Sequence, residues 1–238
     1  MPPTPTDPSS SDQAETAINF KRLYRYRFRN VEGATKQRTW DEIAPYLYRR
    51  MGSPARLLDP AAGMGEFVNA LPGVERWTVD LVEHAGDRDP AVKAIVADIF
   101  EADIPVDYFD GVFVSNFLEH LSTQEEIARF LAKMRSVTAP GGVIAVMGPN
   151  FRYCAKSYFD YADHILALTD RSVSEHLYSA GFEIESATPR FLPFSFTGSL
   201  PNAPWMTRAY LRTPLAWRVL GKQFLVLARR PVTDEGTS

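Results

Sequence analysis

The run Leu57-Leu58-Asp59-Pro60-Ala61-Ala62-Gly63-Met64-Gly65-Glu66-Phe67 narrows the folds open to this chain more than any other feature. An apolar strand, a turn of small residues and an apolar helix, in that order, let the backbone bend sharply and approach a ligand where unpaired N–H groups point outward. A turn of this kind also serves as plain structure in many α/β proteins. Asp80 adds the second constraint, closing the next apolar run at about the 20-residue offset where an acid meets ribose hydroxyls in dinucleotide-type folds. From Arg56 onward, short apolar runs bounded by turn residues alternate with helical segments, the pattern of a parallel sheet built from βα units. The predicted strands are 56–59, 77–80, 94–97, 111–115, 143–147, 183–187 and 224–228, and the predicted helices between them are 65–70, 123–137 and 170–180. The link 81–92 is short and polar, so its crossover is expected to lack a full helix.

Upstream of the sheet, residues 1–16 are rich in Pro, Thr, Ser and Asp and too poor in apolar residues to offset the cost of ordering, so they read as a disordered tail. Residues 17–52 read as a helical cap. Its first helix, over 17–31, has Phe20, Tyr24, Arg27, Phe28 and Val31 near one face and a basic, aromatic stripe of Arg22, Arg25, Tyr26 and Arg29 on another. Its second, over 35–50, stops at Gly52. Residues 53–232 form one domain, with two segments that fit no regular core element, near 150–168 and 189–214. Long irregular insertions in a compact domain are more often binding lids than accidents.

Composition agrees with one domain: 238 residues that are 45% hydrophobic and 23% charged supply the apolar mass for a single α/β core with length left for caps. With 26 Lys+Arg against 29 Asp+Glu the net charge is -3, so no basic field favours non-specific nucleic-acid binding. A single cysteine, Cys154, excludes an internal disulfide and a multi-thiolate metal site and makes a reducing cytoplasm the default location. The first residues lack the pattern of a signal peptide, and no apolar run approaches a membrane span.

Taken together, the loop, Asp80 and a third acid, Asp98, resemble the class I S-adenosylmethionine-dependent methyltransferases over roughly 53–147, with a completion to 230. Phe109-Asp110-Gly111-Val112-Phe113-Val114-Ser115-Asn116-Phe117-Leu118-Glu119-His120-Leu121 looks like the fourth-strand segment of the ubiquinone and menaquinone type of small-molecule methyltransferase. Ala139-Pro140-Gly141-Gly142 is similar to the family's Pro-Gly-Gly turn. The resemblance implies a Rossmann-like, doubly wound α/β sheet of seven strands in the order 3-2-1-4-5-7-6, the last antiparallel, with the N-terminal helices and the insertions after strands 5 and 6 capping the acceptor. It implies S-adenosyl-L-methionine as cofactor and S-adenosyl-L-homocysteine as product. Asp59, Ala61, Gly63 and Gly65 would hold the methionine moiety, Asp80 with Leu81 the ribose side, and Asp98 with Ile99 the adenine, with Asn116 completing the set. Ala61 stands where the family usually has its first glycine, and Asp98 alone would equally serve as a turn cap. A nicotinamide enzyme is disfavoured because Val68 stands where a third glycine should be, and a DNA amino-methyltransferase because Ser115-Asn116-Phe117-Leu118 is not its tetrapeptide.

Methyl transfer from a sulfonium is an in-line displacement, so the protein must mainly hold the acceptor and exclude water, with a base only where the acceptor loses a proton. Glu119 and His120 leave the fourth strand on the acceptor side and are the first candidates, although they would also serve to cap the next helix. His164 is another, oriented by Asp160 if that segment is helical, or else an ordinary surface histidine. These residues show no recognised metal-ligand spacing, and no metal is expected. Asn150, Arg152, Tyr153, Tyr158 and Tyr161, with Arg190, Phe191, Phe194 and Phe196, suggest an aromatic pocket with cationic handles, the alternative being the insertions' own core. The Arg22, Arg25 and Arg29 stripe would close on an anionic group or stand as a solvated helix face. The favoured acceptor is a small anionic molecule, such as an isoprenoid diphosphate methylated on carbon or a nucleotide sugar methylated on oxygen. An RNA or protein methyltransferase and a catalytically silent cofactor-binding partner are the alternatives. No nucleic-acid partner is expected, and the oligomeric state stays open, a homodimer being compatible.

Overall fold

The computed structural model describes residues 20–27, 33–83, 88–194 and 203–233. The expected tail over 1–16 lies outside them, as do Arg29 and Phe196. Two helices come first, α1 (Phe20–Arg27) and α2 (Gly33–Arg50). Then follow β1 (Arg56–Asp59), α3 (Glu66–Asn69), β2 (Glu75–Asp80), β3 (Lys93–Val96) and β4 (Phe109–Ser115). After a 3-10 turn at Leu118–His120 come α4 (Gln124–Val137), β5 (Thr138–Pro149), α5 (Phe151–Tyr158), α6 (Asp170–Ser179) and β6 (Glu183–Thr188). The chain closes with α7 (Pro204–Leu211), α8 (Pro214–Leu220) and β7 (Gln223–Arg229).

The seven strands form one sheet in the order β3-β2-β1-β4-β5-β7-β6. β3, β2, β1, β4 and β5 are mutually parallel, and β7 runs antiparallel between β5 and β6. All seven expected strands are present in the expected order. The described part of the link after β2 holds no helix.

A parallel sheet buries both faces, which explains why the central strands read as continuous apolar runs. Alternate side chains divide between two cores. Val112 and Val114 of β4, Ile144 and Val146 of β5, and Val226 and Ala228 of β7 pack under α4 and α6 through Phe130, Leu131, Met134, Val173 and Leu177. Phe113, Val143, Ala145, Leu225 and Leu227 face the other way, onto Trp40, Ile43 and Leu47 of α2 and Phe67 of α3. Full burial of a side chain of this size stabilises by about 1.5–3 kcal/mol, so α2 is part of the sheet's core on this face.

The insertions are more regular than expected. Asn150 caps α5, its side chain accepting from the Arg152 N–H at 3.3 Å, and Pro204 and Pro214 each sit in the first turn of a helix, where a missing N–H costs nothing. α6 begins with a capping box in which the Thr169 hydroxyl accepts from the Ser172 N–H at 3.1 Å. Thr169→Ala is expected to lower stability by about 1 kcal/mol in denaturant unfolding, with Thr169→Asn recovering most of it.

Candidate active site

Because β1, β2, β3 and β4 run parallel, Asp59, Asp80, Asp98 and Asn116 all emerge at one edge of the sheet. β1 and β4 are neighbours there while their following segments diverge, which opens a crevice. The chain turns at once after β1. The Ala62 N–H donates to the Val79 carbonyl at 3.2 Å and the Gly65 N–H to the Ala62 carbonyl at 2.9 Å, a turn that places Gly63 at φ 52° and Gly65 at φ 79°. Both angles lie in the left-handed region, where a side chain is strained.

Asp80 braces this loop. Its Oδ2 accepts from the Gly63 N–H at 2.7 Å and its Oδ1 from the Val82 N–H at 2.9 Å, so one carboxylate ties the first loop to the end of β2. Asp59 is buried, and its Oδ1 accepts from the Ala61 N–H at 3.3 Å. Burial pushes the Asp59 carboxyl up to about 7, and the nearby Asp80 adds to the rise. Leu81 is exposed beside Asp80, and Ile99 is buried in the core behind Asp98. Asp98 accepts from the Phe100 N–H at 2.9 Å through Oδ1, so it does cap the turn after β3 while its side chain stays exposed. Asn116 stands at φ 48°, its N–H held by the Met147 carbonyl at 2.9 Å.

Arg88 belongs to this site although the sequence offered no sign of it, since it lies in the polar link after β2. Its Nη2 donates to the Gly63 carbonyl at 2.8 Å, and a Cβ placed on Gly65 would lie 3.2 Å from its Nε. That Nε is buried without a partner, a donor that the carboxylate of a bound methionine moiety would satisfy. The loop, the braced acid and this donor fit S-adenosylmethionine. Gly65→Ala is expected to weaken S-adenosylhomocysteine binding several-fold in calorimetry, because both the backbone angle and the Arg88 contact oppose a side chain there.

Across the crevice the 3-10 turn after β4 buries Glu119. The insertion after β5 is pinned to it, as the Ile165 and Leu166 N–H groups donate to the Glu119 carbonyl at 2.8 and 3.2 Å. His120 Nδ1 lies 2.7 Å from the Asp163 carbonyl oxygen, which only accepts, so Nδ1 carries a proton and donates to it. The rings of His120 and His164 are 5.2 Å apart. The buried Asp163 carboxylate pairs with Arg27 of α1, and the Arg27 guanidinium also lies over Tyr161 at 4.7 Å. Burial raises Asp163, but Arg27 and His120 outweigh it and hold the carboxyl below its ordinary value. Burial pushes Glu119 up, and burial with the neighbouring His120 pushes His164 down to about 4. Glu119 Oε1, His164 Nδ1 and Asp163 Oδ2 are buried without hydrogen-bond partners.

His164 does not sit on a helix, and it is Asp163, not Asp160, that joins the cluster. Tyr161 stacks on His164 at 5.0 Å, and Tyr158 and Phe194 lie edge-on to it at 4.9 and 6.3 Å. The Tyr158 hydroxyl donates to the Leu166 carbonyl at 2.7 Å, so this ring is a wall rather than a reactive group. Other expected acceptor residues are engaged within the cap. Asn150 donates to Asp170 at 2.7 Å and the Pro189 carbonyl at 2.9 Å, and Arg190 donates to the carbonyls of Gly221 and Val219 at 2.8 and 2.7 Å. Tyr153 is sandwiched near Arg152 and Arg190, at 5.7 and 4.8 Å. Phe191 is core, stacked on Tyr46 at 5.8 Å. Arg22 and Tyr26 are exposed on α1, which also carries Arg25.

The methyltransferase domain family matches residues 58–146, the span that holds the loop, Asp80, Asp98 and the Glu119-His120 turn. No curated protein matches the chain by sequence. Among solved structures, an S-adenosylmethionine-dependent methyltransferase from Archaeoglobus fulgidus is 19% identical with TM-score 0.61, the similarity covering 89% of this chain and 100% of that one. The 1,6-didemethyltoxoflavin-N1-methyltransferase of Burkholderia thailandensis, solved with 1,6-didemethyltoxoflavin and S-adenosylhomocysteine, is 18% identical with TM-score 0.59, over 96% and 94% of the two chains. A Haloferax volcanii methyltransferase in complex with the Trm112 activator is 16% identical with TM-score 0.65, over 91% and 99%. These structures share the fold, and the matched span carries the loop after β1 on it: residues 58–146 are a methyltransferase domain, set in the seven-stranded sheet that the solved S-adenosylmethionine-dependent methyltransferases share.

Proposed function

We propose that this enzyme methylates a hydroxyl oxygen of a small organic acceptor seated between the Asp59–Gly65 loop and a cap formed by α1 and the insertion after β5. The observation that carries this reading is the cluster of buried Glu119 and Asp163 with half-buried His120 and His164 opposite the loop, walled by Tyr158, Tyr161 and Phe194. Bound S-adenosylmethionine supplies the methyl group on a sulfonium. The chain's own residues do the remaining work. The aromatic rings seat the apolar part of the acceptor and exclude water, and the cluster makes the acceptor oxygen anionic. An acceptor bearing a phosphate, such as a nucleotide sugar, suits the basic face of α1, whose last residue, Arg27, already reaches the cluster. An isoprenoid diphosphate methylated on carbon uses the same anionic handle but draws less on a buried cluster that handles a hydroxyl proton.

The test is isotopically labelled S-adenosylmethionine with nucleotide sugars, isoprenoid diphosphates and RNA as separate acceptors, read by mass spectrometry. Methyl gain on a sugar hydroxyl is expected. Gain on carbon of the diphosphates, or on RNA alone, would overturn the assignment of acceptor.

Asp59 gives the cofactor step a pH dependence. At an ordinary value near 3.9 the carboxyl would be ionised throughout the neutral range, but burial holds it near 7 in the free enzyme. A ligand ammonium beside it favours the ionised form, so binding below pH 7 must release a proton. S-adenosylhomocysteine affinity is therefore expected to rise by up to about tenfold per pH unit toward 7 and to level off above it. Calorimetry in buffers of different ionisation enthalpy reads the proton directly, and Asp59→Asn should flatten the profile.

A further inference from the structure

We infer that Glu119, His120 and His164 form a binding site for one divalent transition-metal ion, placed to hold the acceptor oxygen. One ligand atom from each residue lies within 4.8 Å of the other two, close enough for a single ion to be shared among them. The residues come from two segments, the turn after β4 and the insertion after β5, and backbone hydrogen bonds from Ile165 and Leu166 to the Glu119 carbonyl hold those segments in register.

The polar inventory of the cluster points to a ligand that accepts lone pairs. Glu119 is 2% exposed, yet its Oε1 has no hydrogen-bond partner, and neither does the buried Nδ1 of His164. Leaving such buried atoms unpaired is unfavourable, and the ionised Glu119 oxygen offers only lone pairs while an unprotonated Nδ1 of His164 offers one as well, so a cation answers both where another acceptor would not. His120 has the orientation of a prepared ligand. Its Nδ1–H is committed to the Asp163 carbonyl at 2.7 Å, which fixes the tautomer and leaves Nε2 as the donor atom, the arrangement that commonly orients metal-bound histidine.

Two imidazoles and one carboxylate select zinc, manganese, iron or cobalt rather than calcium or magnesium, which prefer all-oxygen sets. Three protein ligands leave positions open for water or for an acceptor hydroxyl. A hydroxyl bound there ionises at lower pH, its proton passing to solvent water, and the oxygen is held in place with the aromatic walls around it. This role for the ion rests on the methyl-transfer reading above, whereas the binding of the ion does not.

The test uses the full chain, freed of any affinity tag and stripped with a chelator. Zinc is titrated in competition with a chromophoric chelator, and cobalt is titrated while its visible absorption is followed. One ion per chain, with a cobalt spectrum of a nitrogen- and oxygen-ligated site, is the expected result. Glu119→Gln and His164→Ala should each weaken zinc binding by more than about 100-fold, beyond the 10–100-fold that loss of an outer hydrogen bond causes. His176→Ala, away from the cluster, should leave it unchanged. S-adenosylhomocysteine binding, measured on the same samples, shows whether each variant is folded, and the cobalt spectrum of the unmutated protein reports the ligand set even if a variant is not. No saturable binding below millimolar metal, or binding that survives both substitutions in folded protein, would overturn the site. Absent metal binding with intact S-adenosylhomocysteine binding removes this inference alone. Metal binding without S-adenosylhomocysteine binding upholds the site and removes the methyl-transfer reading.

Discussion

Replacing Asp80 with alanine is expected to weaken S-adenosylhomocysteine binding by about 100- to 1000-fold. The carboxylate accepts from the Gly63 and Val82 N–H groups at 2.7 and 2.9 Å, so it fixes the shape of the first loop against the end of β2. The substitution removes that brace together with the hydrogen bonds that the carboxylate would offer to the ribose of a bound cofactor. Hydrogen bonds to a charged group are worth about 1.5–3 kcal/mol each; at the lower end, about 1.5–2 kcal/mol each, because the N–H groups left behind on this partly exposed loop reach water, losing two costs on the order of 3–4 kcal/mol, at about 1.4 kcal/mol for each factor of ten. Calorimetric titration of Asp80→Ala against the parent protein reads the loss, and a thermal melt separates it from global unfolding. An unchanged affinity would take Asp80 out of the cofactor site.

The second large effect falls on turnover. Glu119→Gln and His120→Ala are each expected to lower kcat by about 10²–10⁴ while S-adenosylhomocysteine affinity stays within about twofold of the parent, because the cluster sits across the crevice from the loop. Glu119→Gln keeps the volume of a buried side chain and removes only its ability to ionise. His120→Ala removes the ring whose Nδ1 is set by the Asp163 carbonyl. A fall in kcat with cofactor affinity preserved assigns the cluster to the acceptor. Full turnover in either variant would return that residue to the role of a turn residue between β4 and α4.

The sheet was legible in the sequence because its physics is local. Each parallel strand must bury both faces, so it appears as an apolar run ended by a turn residue, and the runs at Leu57-Leu58, Val112-Phe113-Val114 and Val143 to Met147 announce themselves. Helices α7 and α8 were missed for an equally local reason. Prolines at 204 and 214 suggest loops, yet at the first turn of a helix proline is tolerated, and only the apolar residues after each, Tyr210, Leu211 and Trp217, mark the helical face.

In the candidate site, the loop and the acids at the strand ends were visible because their spacing follows from the βα unit. Asp163 and Arg27 were not, since their pairing spans 136 residues and depends on where α1 lies over the insertion. Arg88 was hidden in a polar link, and only the fold brings it to the Gly63 carbonyl. Arg190 and Asn150 carried the opposite lesson. A polar residue in an aromatic insertion suggests a substrate handle, but both side chains satisfy backbone carbonyls that the cap would otherwise leave unpaired.

Titration of the unmutated protein with S-adenosylhomocysteine in a calorimeter decides whether the loop after β1 holds the cofactor. One site per chain is expected, with a dissociation constant in the micromolar range, lost on substitution of Asp80. Absence of binding at millimolar ligand by a folded protein would contradict it, because the Asp59–Gly65 loop would then be a structural turn and not a cofactor site.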